Sequence, residues 1–235
     1  MPQSALLFTA TMDAYMPALA PLVVLAFLGV GFVVVCTAVA AGVAYATRRG
    51  RLAALIGASG VVAAAGYAAL LAGASLLSRD RTLAPGEHKY FCEMDCHIAY
   101  DVTAADASEG GRRAVTLRTW FDPSTIAPFR GDGPLTPGPR TVYLVDDAGR
   151  RWEPSTAATA AWERSHGNST PLGRPLRPGE SYTTTLVFEA PADAPARLFV
   201  GAPRGTPDDL LIGHENSPFH GKTYFALPAP ARAAR

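Results

Sequence analysis

The chain has 235 residues, a formal net charge of +1 and 49% hydrophobic residues. This length leaves room for one ordinary domain and a membrane segment. A nucleic-acid-binding surface needs a concentrated basic patch, so the near-neutral charge argues against nucleic acid as a partner.

Two long stretches near the N-terminus contain no charged residue. The first lies between Asp13 and Arg48 and the second covers residues 52–77. Each exceeds the roughly 20 residues that span a hydrocarbon core, and charged side chains are costly at mid-membrane. The pattern predicts a transmembrane hairpin in residues 1–81, with helices at about 17–46 and 52–77. A cleaved signal peptide fits the first stretch poorly, because no basic segment precedes it and it is too long.

The charges between the two stretches predict the orientation. Arg48, Arg49 and Arg51 lie in the short connecting loop, while residues 1–16 contain no Lys or Arg. By the positive-inside rule this loop faces the cytoplasm. We therefore expect a plasma (inner) membrane protein with both termini and the C-terminal domain extracytoplasmic.

Residues 82–228 are predicted to form the extracytoplasmic domain. Between Cys92 and Val102 apolar and polar residues alternate, which is typical of a strand with one buried face. Further strands are predicted around Val115–Phe121, Val142–Leu144, Trp152, Tyr182–Glu189, Arg197–Gly201 and Lys222–Leu227. Residues 229–235 read as a disordered tail.

Turn signals separate these strands. Asp146–Gly149 is a plausible hairpin turn, and residues 157–164 are a candidate short helix. About seven short strands joined in this way indicate an all-β antiparallel sandwich.

Three segments carry a family resemblance: Leu144–Trp152, Leu176–Glu180 and Leu186–Pro191. They form a hairpin, a Pro-Gly turn and a strand that ends at a proline. The pattern resembles a bacterial immunoglobulin-like extracytoplasmic domain of unknown function, sometimes labelled a telomeric-repeat-binding-factor domain. The resemblance implies an immunoglobulin-like sandwich outside the membrane and supplies no catalytic residues.

Cysteine and histidine residues cluster at the start of the predicted domain. Thiolate and imidazole ligands suit copper and zinc, so the cluster is a candidate metal site. A second histidine-bearing segment precedes the last strand and could contribute to the same site. The candidate ligands are His88, Cys92, Cys96, His97, His214 and His220.

Four interpretations of Cys92 and Cys96 remain open. They could form a disulfide, which the oxidising compartment favours, or be two buried free thiols. A regular strand would separate their Cα atoms by about 13 Å, so a disulfide requires a turn or bulge between them. The third interpretation is a metal site and the fourth is covalent haem attachment. Three residues separate Cys92 from Cys96, one more than in the usual C-x-x-C-H haem motif.

The function expected from the sequence is a non-enzymatic, membrane-anchored module that binds an envelope protein or a surface ligand, without a cofactor. Glu215 and Asn216 mark a candidate binding loop. The alternative is a copper- or zinc-binding redox accessory protein. A third possibility is that the helical hairpin recruits the domain to a larger membrane complex.

Overall fold

The computed structural model describes residues 20–91, 97–108, 111–126, 130–191 and 196–228. Two long apolar helices come first, α1 (Ala20–Ala46) and α2 (Gly50–Leu77). Both are long and apolar enough to cross a membrane. Arg48 takes a positive φ of 59° in the turn that joins them.

The two helices pack against each other through small residues. A Cβ added to Gly60 would collide with the Thr37 hydroxyl, so the backbones approach closely at this point. The Thr37 hydroxyl donates to the carbonyls of Val33 (2.8 Å) and Val34 (3.0 Å) in its own helix. It therefore needs no partner from water, which suits a residue in an apolar environment.

Nine strands in the described residues form two sheets. The five-stranded sheet has the order β1-β9-β8-β5-β6 and the four-stranded sheet the order β2-β3-β4-β7. The strands are β1 (Arg81–Leu83), β2 (Lys89–Phe91), β3 (Ile98–Ser108), β4 (Arg112–Phe121), β5 (Thr141–Asp146), β6 (Arg151–Trp152), β7 (Ser181–Phe188), β8 (Ala196–Gly201) and β9 (Thr223–Ala226). All pairs are antiparallel except β1 and β9, which run parallel. The prediction of a wholly antiparallel sandwich is corrected at this edge.

One apolar core joins the two sheets. Tyr100 and Leu117 from the four-stranded sheet pack in the same cluster as Leu144, Leu198 and Phe225 from the five-stranded sheet. All five are almost fully buried. Because burial of apolar surface is the dominant favourable term in folding, this cluster holds the sheets together.

Several local predictions are confirmed. Gly149 takes a positive φ of 79° and its N–H donates to the Asp146 carbonyl (3.0 Å), which closes the predicted turn. Helix α3 (Thr156–His166) covers the predicted helical segment, and its N-cap is Ser155, whose hydroxyl accepts from the Ala158 N–H. The alternation in β3 is confirmed on one face only. Ile98, Tyr100 and Val102 point into the core, but His97, Ala99 and Asp101 on the other face are buried as well.

The described chain divides into two compact units. Residues 80–203 and 222–228 form what we call the β unit. Residues 20–79 and 204–221 form the helical unit. Segment 204–221, which the sequence placed in the sandwich, thus belongs to the same compact unit as α1 and α2. It contains one turn of 3₁₀-helix at Asp208–Leu210.

Candidate functional site

The outer face of the four-stranded sheet carries a group of aromatic and charged side chains, which we call the outer patch. It consists of His88, Tyr90, Asp101, Arg118 and Trp120. Tyr90 and Trp120 both pair with Ala99, and Asp101 pairs with Arg118. Ala99, which lies between the two aromatic residues, is completely buried.

Asp101 lies at the centre of the outer patch. Its side chain is only 3% exposed, and its Oδ1 accepts from Arg118 Nε at 2.9 Å. His88 Nδ1 lies 3.4 Å from the same oxygen, and the His88 ring is 5.5 Å from the Trp120 ring. A buried carboxylate needs such partners, because removing a charge from water is costly. The pair leaves Arg118, with a side chain 40% exposed, able to contact a further group.

Asp122 closes one end of the patch and holds Tyr90 in place. It accepts from the Tyr90 hydroxyl (2.8 Å) and from the N–H (2.8 Å) and hydroxyl (2.7 Å) of Ser124. Burial alone would raise the pKa of Asp122, but these hydrogen bonds outweigh it and hold the pKa below its ordinary value. Burial and the bond to Asp122 raise the pKa of Tyr90, so its hydroxyl stays a donor at physiological pH.

The arrangement is suited to binding. Trp, Tyr and Arg are the residues enriched in the energetic centres of protein interfaces. His88 contacts Asp101, Tyr90 and Trp120 and so links the charged and the aromatic members of the outer patch.

The two predicted histidine ligands of the β unit occupy different settings. His88 belongs to the outer patch and its side chain is 28% exposed. His97 is 1% exposed, stacks on Phe121 (5.5 Å between ring centres) and has its Nδ1 2.7 Å from the Thr125 hydroxyl. These contacts are typical of a histidine that is packed in the protein interior.

The other two predicted histidine ligands, His214 and His220, lie in segment 204–221 of the helical unit. His214 Nδ1 accepts from the Asn216 N–H (3.1 Å), and its Nε2 is 3.9 Å from Asp208 Oδ2. His220 Nδ1 donates to the Gly221 carbonyl (2.6 Å). Burial lowers the pKa of His214 despite the opposing influence of Asp208.

The predicted binding-loop residues are enclosed in this segment. Glu215 is 4% exposed and Asn216 is 2% exposed. Their burial indicates a structural role in shaping the segment, because a side chain that contacts a partner directly must be accessible in the free protein.

Cys92 and Cys96 lie outside the described residues. The structure therefore gives the predicted disulfide between them no support, and Cys36, within the described ranges, is a free thiol. In the same ranges no three His, Cys, Asp or Glu side chains are grouped to hold a metal ion. The copper or zinc alternative therefore gains no support from the histidines.

The sequence analysis missed Tyr90, Asp101, Arg118 and Trp120. The sequence does contain a pattern that could have located them. Two residues of the patch or of its floor stand at i, i+2 spacing in or next to each of three successive strands: His88 and Tyr90, Ala99 and Asp101, and Arg118 and Trp120. That spacing places each pair on one face of its strand. It does not give the register, which is what brings the three pairs together.

No family model matches the chain, and neither does any curated protein sequence. The family named from the resemblance is thus unsupported, and what remains is a β-rich fold with distant structural neighbours. One is the secreted protein MPT63 from Mycobacterium tuberculosis, with 12% identity and a TM-score of 0.39, covering 63% of this chain and 97% of that one. Another is a conserved hypothetical protein from Bacillus anthracis, with 14% identity and a TM-score of 0.31, covering 48% and 89%. Likenesses this distant carry no argument about function.

Proposed function

We propose that this protein is a membrane-anchored binding module that acts without catalysis. In this proposal α1 and α2 span the plasma membrane and the β unit, an immunoglobulin-like sandwich, lies outside the cytoplasm. The outer patch binds an envelope protein. The observation that carries the proposal is the outer patch itself, where Trp120, Tyr90 and Arg118 surround a buried carboxylate.

The exposure of α1 and α2 supports the anchor. Large apolar side chains point outward along both helices, including Leu25 (63% exposed), Phe32 (71%), Val61 (69%) and Leu70 (65%). The core helix of a water-soluble protein would bury such residues. Arg48 and Arg49 in the connecting turn and Arg51 in the first turn of α2 favour the orientation with this turn in the cytoplasm.

The chemistry of the outer patch suggests what the partner presents. Arg118 already neutralises Asp101 through Nε, and its remaining guanidinium donors suit a carboxylate on the partner. Trp120 and Tyr90 add apolar area beside it. We therefore expect a partner segment that places an acidic residue next to an apolar one.

In-cell photocrosslinking tests this proposal. A photoreactive amino acid replaces Thr183, which is exposed and pairs with Arg118 across β4 and β7. The control position is Ala148 in the exposed turn after β5. We expect one discrete adduct with an envelope protein from position 183 and none from position 148.

A second substitution makes the test specific. Trp120→Ala should abolish the adduct formed from position 183, because truncating a central aromatic residue typically costs about 2 kcal/mol or more of binding energy. An adduct that persists unchanged in Trp120→Ala, or no adduct from position 183, would contradict the proposal.

A further inference from the structure

Segment 204–221 is attached to α2 at two levels. The Tyr67 hydroxyl donates to the Leu210 carbonyl (2.7 Å), and the Gly221 N–H donates to the Ser78 hydroxyl (2.7 Å). Gly221 lies so close to Arg79 that a Cβ would collide with the Arg79 backbone. The segment therefore runs along the part of α2 between Tyr67 and its C-terminal end.

The inside of the segment is polar and well bonded. Glu215, Asn216 and Ser217 are buried. Ser217 N–H donates to the His214 carbonyl (2.9 Å) and His220 N–H to the Ser217 carbonyl (3.1 Å), so successive turns hold the chain in shape. The segment thus has a defined conformation with which to display other side chains.

Its outside is apolar at two points. Leu210 is 40% exposed and Phe219 is 78% exposed. Among the described residues, every other exposed large apolar side chain belongs to α1 or α2, and the β unit has none. Phe219 also takes a positive φ of 65°, which is uncommon for a residue with a bulky side chain. Segment 204–221 therefore continues the exposed apolar surface of the helices.

Helix geometry gives the depth of the two residues. Tyr67 is 17 residues beyond Gly50, or about 26 Å along α2 at 1.5 Å per residue. The hydrocarbon core is about 30 Å thick, so Tyr67 lies about 4 Å inside its far boundary when the arginine-rich turn lies at the near one. Ser78 is a further 11 residues on, about 17 Å higher, beyond the acyl chains.

We propose that segment 204–221 lies in the membrane interface, with Leu210 at the acyl-chain boundary and Phe219 in the headgroup layer. The occupant of this apolar surface is the same bilayer that α1 and α2 span, so the inference rests on the membrane anchor of the proposed function. Aromatic side chains favour the headgroup level, and a surface-bound apolar group adds affinity in proportion to its buried area. The segment gives the anchor a second, interfacial contact with lipid.

Depth-dependent quenching tests the inference on the full chain in phosphatidylcholine liposomes. A fluorescent amino acid whose emission is separate from that of tryptophan replaces Leu210, Phe219 or, as a control, Ala148. Lipids carry a nitroxide either on the headgroup or near the top of the acyl chain. We expect headgroup nitroxide to quench position 219 several-fold more than position 148, and acyl-chain nitroxide to quench position 210 most.

Two glycine variants show whether the segment itself sets the depth. Gly221→Ala should displace the segment from α2 and reduce quenching at both positions. Gly205→Ala is the matched control in the same segment, because an added Cβ there meets nothing within 4 Å.

Flotation after alkaline extraction separates the two proposals. Protein that floats with the liposomes but shows equal quenching at positions 219 and 148 would overturn the interfacial segment and leave the anchor intact. Quenching of position 219 by a nitroxide-labelled second copy instead of by lipid would also overturn it. Protein that is released from the liposomes would refute the anchor itself.

Discussion

The helical unit exposes its large apolar side chains, whereas the β unit buries them. Leu25 on α1 is 63% exposed, whereas Leu198 on β8 is completely buried. The core of the β unit is apolar and its surface polar, as expected in water. The helical unit instead exposes its apolar residues along both helices. The difference agrees with the proposed anchor, in which the β unit faces water and the two helices face lipid.

The two units also differ in how their polar groups are paired. In the β unit the charged Asp101 is buried with Arg118 as its partner. In α1 the Thr37 hydroxyl bonds to carbonyls of its own helix, and residues 52–77 contain no charge at all. A charge can be buried where water-facing partners are available, whereas a lipid-facing helix must satisfy its polar groups internally.

The largest expected effect contrasts two leucines. Leu198→Ala should destabilise the β unit by about 2–5 kcal/mol, because it removes a fully buried side chain and leaves a cavity. Leu25→Ala should leave the stability of the β unit unchanged. Chemical denaturation of the full chain in detergent, followed by the near-ultraviolet circular dichroism of the tryptophans, measures both. Equal losses would show that the two units do not differ in the way proposed.

The next effect concerns the contact between α1 and α2. Gly60→Leu should destabilise the hairpin by about 1–3 kcal/mol, because the new side chain enters the space of Thr37. Gly66→Leu is the matched control, since a Cβ at Gly66 meets nothing within 4 Å. Titration of the full chain with sodium dodecyl sulfate in mixed micelles measures the difference. If the control loses as much as Gly60→Leu, the close approach of the helices does not contribute to stability.

A pH-dependent effect is expected at Asp122. Its pKa is lower in the folded state, so its stabilising contribution is present above the unfolded pKa of about 3.9 and is lost as pH falls through the folded pKa. Asp122→Asn should cost about 1–3 kcal/mol at pH 7, because hydrogen bonds to a charged acceptor are lost. The gap to the wild type should shrink below about pH 4. Chemical denaturation of both proteins at pH 7 and below about pH 4 measures the difference in their free energy of unfolding. Asp147→Asn in the exposed turn is the control. A difference that does not depend on pH would show that the Asp122 carboxylate is not the group responsible.

Local patterns predicted much of the fold. The absence of charge defined α1 and α2, the turn residues located Asp146–Gly149, and the alternation in β3 assigned Ile98 and Tyr100 to the core. Each of these features depends on neighbours within a few residues. The pairing of β1 with β9 could not be predicted in this way, because its partners lie about 140 residues apart.

The outer patch was missed for the same reason. Alternation assigned His97, Ala99 and Asp101 to an exposed face, yet all three are buried. Part of their cover comes from Trp120 on β4 and Tyr90 on β2, and only the register of three strands brings these residues together. The candidate metal ligands were chosen by residue type from two segments of the chain, whereas the patch combines different residue types from three strands.

The smallest expected effect is a loosening of segment 204–221 in mild acid. The core of the β unit should not respond in this way. Burial lowers the pKa of His214, and Asp208, Asp209 and Glu215 oppose this while His220 reinforces it. A lowered folded pKa means that the contribution of His214 is complete above its unfolded pKa of about 6.5 and is lost as pH falls through the folded value.

We therefore expect the amides of Ser217 and His220 to exchange with deuterium faster at pH 5 than at pH 7.5, once intrinsic rates are corrected. Those of the core strand β8 should not change. His214→Gln should remove the pH dependence, because the group that must stay neutral is absent, while His166→Gln on the exposed end of α3 should keep it. Acid-induced exchange that survives in His214→Gln would show that His214 does not cause the response. The faster exchange would then follow from a change in the net charge of the segment. The hydrogen bond from the Asn216 N–H to the neutral His214 imidazole would not be what stabilises the turns at Ser217 and His220.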